Sequence, residues 1–209
     1  IEDEAKRKGY TVIIGSSDEN EQKSRDLMEV FVHRQVDGLI IVSSEGTENH
    51  LSYLQDHQVP FILLDRHFPE ISTDFVVTDN YAASYRATEH LVQNGYTRIA
   101  MIAYDSPMFH MQERIRGYRN ALSTHALEND LVELVVLKQT ATQVRSAIDT
   151  LRALPEAIDA LIFATYGLAI AGLKYRNECK VKVPEQIAIV SFGQAEGLDL
   201  YYCPISYIE

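Results

Sequence analysis

Short apolar runs alternate with amphipathic stretches along almost the whole chain, and this rhythm restricts the fold more than any other feature. Tyr10–Ile14 reads as a strand, stopped by Gly15 and two serines. Asn20–Arg34 then carries Leu27, Val30, Phe31 and Arg34 at helical spacing. Gly38–Val42, Pro60–Leu64 and the shorter Phe75–Thr78 read as further strands, with a short helix over Asn49–Asp56. The next helix starts near Asn80, whose side chain is well placed to accept from the free N–H groups of the first turn. Gly95 closes it, because glycine tolerates the left-handed conformation at a helix end. Arg98–Ala103 is a strand, and the pattern repeats: helix Met111–His125, strand Leu134–Leu137, helix Thr142–Leu154, strand Ala160–Ala164, helix Leu168–Asn177, strand Ile187–Ser191.

Strands that alternate with helices at this pace imply parallel strands joined by right-handed crossovers. The strand runs are apolar without alternation, as expected when helices cover both faces of a sheet. A length of 209 residues suits one large α/β unit or two lobes of about 100 residues each. Two features read as cut ends. The opening IEDEAKRKG resembles the tail of a helix without its preceding strand, and PISYIE at the end resembles a strand with nothing after it.

The net charge of −11 gives no basic stripe for phosphate contact, so this piece is not expected to hold nucleic acid by itself. No apolar run approaches the roughly 18 residues a membrane helix needs. Cys179 and Cys203 form no CxxC pair and read as two buried thiols in a reducing compartment.

Catalytic signatures are missing. The sequence holds no GxGxxG, no GxxxxGK[ST], no GxSxG and no HExxH. Its seven histidines are scattered; His50 and His57 lie two helical turns apart and read better as surface residues than as a metal site. Catalytic residues, metals and cofactors are therefore expected to be none. Asp65 and Asp79 each follow a strand, where open α/β sheets bind ligands. Capping of the next segment explains Asp65 equally simply and is the better reading of Asp79.

The wording of Leu63–Ile102 resembles the lactose-repressor family. Asp65-Arg66, Asp79-Asn80, Ala87-Thr88, His90-Leu91, Gly95 and Arg98-Ile99-Ala100 stand where that family writes its recurrent motifs. Glu113–Leu122 resembles the family's "R..G...AL" helix, and Val183–Phe192 its "VPEDIAVVGF" segment. The likeness runs in order over nearly the whole chain.

What the resemblance implies is a two-lobe periplasmic-binding-protein-like fold of type I, with parallel sheets flanked by helices and a ligand in the cleft between the lobes. Residues 1–103 would be most of the N-terminal lobe, 104–203 the C-terminal lobe, and 204–209 the start of the return crossover. Arg114 falls on the family's ligand-contacting arginine, whose planar fork can bond two oxygens at once. Ser44, Asp65 and Arg66 fall at or near the pocket of the first lobe, and Gln139 at that of the second. The resemblance further implies a small-molecule effector, most simply a sugar or sugar derivative. It also implies operator DNA held by a helix-turn-helix headpiece that is not in this chain, a homodimer and a cytoplasmic regulator. A periplasmic sugar-binding protein of a transporter is the alternative.

Three departures bear on the ligand. Tyr166-Gly167 replaces the family's Asn-Asp, Gly193 replaces its ligand-binding aspartate, and Ser84 stands where glycine is frequent. Tyr166 is placed to stack on a ring instead.

Overall fold

The expected βα rhythm is present in the computed structural model, which describes all residues except 128–131, 137–140, 195 and 209. The chain divides into two compact units, Ile1–Val77 and Thr78–Glu209.

The first unit holds helices α1 (Glu2–Arg7), α2 (Glu21–His33) and α3 (Glu48–Asp56) and strands β1 (Leu39–Ile41), β2 (Phe61–Leu64) and β3 (Asp74–Val76). The strands form a parallel sheet in the order β1-β2-β3. Ile41 and Leu63 pair in register and are both buried, as are Met28 of α2 and Leu51 and Leu54 of α3. Asn20 caps α2 by accepting from the Lys23 amide at 2.8 Å. Tyr10–Ile14, expected as a strand, makes no ladder, and Tyr10, Ile13 and Ile14 are exposed. An apolar run states a preference for extended backbone but does not supply the neighbouring edge that turns it into a strand.

The second unit holds α4 (Asn80–Gln93), β4 (Ile99–Tyr104), α5 (Phe109–Thr124), β5 (Val132–Val136), α6 (Ala141–Arg152), β6 (Ala160–Phe163), α7 (Tyr166–Glu178), β7 (Ala188–Phe192), α8 (Glu196–Asp199) and β8 (Ser206–Ile208). Its parallel sheet runs β5-β4-β6-β7-β8. Ile99–Ala103 of β4 and Ala160–Phe163 of β6 are fully or almost fully buried. Apolar side chains gather on each of the two faces. The sequence reading ends the first lobe with the Arg98–Ala103 strand. By hydrogen bonding that strand joins β5 and β6, and the units separate ahead of α4. Nothing local marks the difference, because βα repeats look alike whichever sheet they enter. Cys179 and Cys203 form no disulfide and are half-buried, where buried thiols were expected.

Helices α4 and α5 approach closely because Gly117 has no side chain. A Cβ there would stand 2.3 Å from the Tyr81 carbonyl oxygen and 3.0 Å from Ser84 Cβ. Ser84, at 0% exposure, occupies the facing position, and the Tyr118 hydroxyl donates to the Ile99 carbonyl at 2.8 Å to fix α5 over β4. We expect Gly117→Ala to lower stability by ~1–3 kcal/mol, as overpacking does, despite alanine's better helix propensity. Gly167→Ala meets nothing nearer than 3.7 Å and should not destabilise. Urea unfolding of the two variants checks both outcomes.

Candidate functional site

In the second unit the parallel sheet delivers the ends of β4, β6 and β7 to one edge, and the starts of α5 and α7 follow directly. Arg114, in the second turn of α5, is half-buried and held from three sides. Its Nε donates to Asn80 Oδ1 at 2.7 Å, its Nη1 donates to the Ala164 carbonyl at 2.7 Å, and its guanidinium lies 4.4 Å from the Phe192 ring centroid. Two directed bonds and an aromatic face fix the orientation of a side chain that would otherwise lose rotamer freedom on meeting a ligand.

Asn80 does not cap α4, as the sequence suggested. Asp79 does, accepting from the Ala82 amide at 2.9 Å. Asn80 turns inward, 6% exposed, and its Nδ2 donates to the Thr78 carbonyl at 2.9 Å, so its oxygen faces Arg114. Of two adjacent residues that can both cap, the one reached by the arginine is withdrawn from the helix end.

Thr165 follows β6 and caps α7, accepting from the Leu168 amide at 3.3 Å. Tyr104, at the end of β4, hydrogen-bonds Thr165, and burial raises its hydroxyl pKa, so it stays neutral at physiological pH. Tyr166 is exposed, and its ring lies 3.6 Å from where a Cβ on Gly193 would sit. Gly193 has φ +83°, a conformation that side chains rarely adopt, so the family's aspartate could not be restored there without strain. Arg114, Tyr166 and Gly193 therefore share one edge with Tyr104, Thr165 and Phe192. Sequence reading missed Asn80, Phe192 and Tyr104 as parts of this edge. Phe192 and Tyr104 close their strands, and strand-end position is the signal that could have found them.

The first unit has its own carboxyl edge. Ser43 and Ser44 follow β1, are buried, and have hydroxyls without hydrogen-bond partners. Asp65 follows β2 with φ +67°, and its amide donates to the Val76 carbonyl at 2.8 Å. Its carboxylate is about half exposed and stands 4.0 Å from Arg66 Nε. Arg66 forks onto Glu19 at 2.6 and 2.9 Å and donates to the Ser43 carbonyl at 3.2 Å. Its charge is thus already met within the unit. Gln139 lies outside the described residues.

Comparison with known proteins explains the resemblance. Residues 1–199 match the family described as periplasmic binding proteins and sugar binding domain of the LacI family. The chain belongs to this family. It is 24% identical over 207 residues to the HTH-type transcriptional repressor PurR of Aliivibrio fischeri, covering 98% of this chain and 61% of that one. It therefore spans less than two thirds of that LacI-family repressor. Among solved structures, a putative ribose operon repressor from Burkholderia thailandensis superposes with TM-score 0.85 at 23% identity, over 100% of this chain and 78% of the other. The Cra transcriptional dual regulator from Pseudomonas putida, solved in complex with fructose 1-phosphate, superposes with TM-score 0.83 at 23% identity, over 99% and 76%. These LacI-family structures share the α/β fold of parallel sheets flanked by helices.

The Arg114–Asn80 link carries a prediction. Asn80→Ala leaves a half-buried guanidinium N–H without its acceptor and should cost ~1–3 kcal/mol. Asp79→Ala removes only a cap and should cost ~1 kcal/mol. Chemical denaturation of the two variants would rank them; no loss in Asn80→Ala would mean that the bond to Arg114 is energetically idle.

Proposed function

We propose that this chain is the small-molecule effector-binding core of a LacI-type transcriptional regulator, and that it is not an enzyme. Membership of the family and the repressor names of its relatives support the regulator over a transport receptor. In this reading the Ile1–Val77 and Thr78–Glu209 units are the two lobes. A helix-turn-helix elsewhere in the polypeptide holds operator DNA, the regulator is a cytoplasmic homodimer, and effector binding shifts a pre-existing conformational equilibrium.

The observation that carries the reading is Arg114, oriented by Asn80, Ala164 and Phe192 at the carboxyl edge of the second sheet. A fixed cation at strand ends is a recognition group for ligand oxygens. Gly193 supplies no carboxylate to receive neutral hydroxyls, and Tyr166 offers an exposed ring beside it. This combination favours a sugar derivative that carries negative charge, such as a sugar phosphate or sugar acid, with Tyr166 against its ring. Ser44, Asp65, Arg66 and Gln139 are proposed as further ligand-facing positions, with Arg66 leaving Glu19 or acting through it.

Thermal-shift titration of the full-length polypeptide against sugars, sugar phosphates, sugar acids and nucleobases tests this. A ligand of the folded state raises the melting temperature. We expect a phosphorylated or acidic sugar to do so, and Arg114→Ala to weaken it at least tenfold. A ligand whose effect survives Arg114→Ala would remove the arginine from the site.

A further inference from the structure

Far from Arg114 in sequence, the last turn of α7 buries a second arginine under different terms. Arg176 is only 2% exposed. Its Nη2 reaches the Lys182 carbonyl at 3.5 Å, the outer limit of a hydrogen bond, and its Nη1 is shut off from water without a partner. A guanidinium cannot escape by losing its proton. Burying such a charge without an opposite one is strongly unfavourable.

No described carboxylate compensates it. Glu178, two residues on, bonds Arg145 at 2.6 Å, and Asp149 of the neighbouring α6 accepts from the Tyr175 hydroxyl. Arg152 adds repulsion. The C-terminal end of α7 contributes only about half a negative charge.

The polar side chains around Arg176 are Tyr201, Tyr202 and Cys203, which carry hydroxyls and a thiol, not a carboxylate. The Tyr201 hydroxyl is buried, and its neighbours are Tyr202 and the Arg176 guanidinium, with which it interacts electrostatically. Burial pushes that hydroxyl up to about 12, so it remains a neutral donor at physiological pH. The nearby Val183 carbonyl already receives Tyr202 Oη at 2.9 Å and Cys203 Sγ at 3.1 Å. Leu173, Val183 and Leu198 pack in the same apolar cluster as Tyr201 and Cys203, which leaves no place for a large group.

We propose that the second unit holds a buried site for a small monovalent anion of chloride size, bound by Arg176 Nη1 and the Tyr201 hydroxyl. The missing group must accept a hydrogen bond, since Arg176 Nη1 is without a partner and can only donate. It must carry one negative charge, since among the described residues no carboxylate balances the guanidinium. A trapped water would meet the first condition and not the second. The site is separate from the Arg114 edge and does not depend on the effector reading.

Melting temperatures of the full-length polypeptide in sodium chloride and in sodium gluconate at equal ionic strength test it. For 100 mM chloride and a site of about 10 mM affinity, the wild type should melt about 3 °C higher in chloride. Arg176→Met should abolish the difference and melt in gluconate no lower than the wild type, having lost an unpaired charge. Tyr201→Phe should shrink the difference. Bromide-soaked wild-type crystals should show an anomalous peak within hydrogen-bonding distance of Nη1, which keeps the test decisive if a variant fails to fold. Equal melting in the two salts, a full chloride effect in Arg176→Met, or water without bromide at Nη1 would each overturn the proposal.

Discussion

In a parallel ladder every strand finishes on the same edge, and this constraint organises both units of the molecule. The helices that return the chain must then start from that edge, so their first turns stand beside the strand ends. Arg114, Thr165 and Tyr166 occupy such positions, and Tyr104, Phe192 and Gly193 complete the rim. In the first unit the same geometry gathers Ser43, Ser44, Asp65 and Arg66. No residue needs an unusual backbone to reach its edge, apart from Asp65 and Gly193 in the left-handed region.

Close packing converts this general geometry into a fixed group. Gly117 and Ser84 let α4 and α5 meet with almost no side chain between them, and Tyr118 ties α5 to β4. The approach brings Asn80 of α4 within 2.7 Å of Arg114 on α5. An arginine on a solvated helix face would sample many rotamers; this one is held by a helix neighbour, a strand-end carbonyl and a ring. The packing of α4 on α5 and the placing of Arg114 thus draw on one contact, because in each helix the small residue stands about one turn from the polar one.

Much of this was readable in the chain. The periodicity of Asn20–Arg34 appears in α2 as expected, and Gly95 adopts φ +90° just past α4. What local pattern cannot supply is the distant partner. Whether Asp79 or Asn80 caps α4 depends on Arg114, 34 positions after Asn80. Whether Arg66 faces a ligand depends on Glu19, 47 positions before it. Tyr10–Ile14 has strand composition and no edge to join, and the Arg98–Ala103 run reads the same in either sheet until its ladder partners are known. Arg176 is hidden for the opposite reason. A cation in the last turn of a helix looks like an ordinary solvated end, and only its burial shows otherwise.

The central claim is that the carboxyl edge of the second sheet, with Arg114 at its centre, is where the effector is recognised. Hydrogen–deuterium exchange of the full-length polypeptide, with and without a ligand that stabilises it, tests this most directly. The account predicts protection concentrated at the end of β4 and start of α5, at residues 164–168 and at residues 192–194. Protection elsewhere in the second unit, with these segments exchanging as in the free protein, would contradict it.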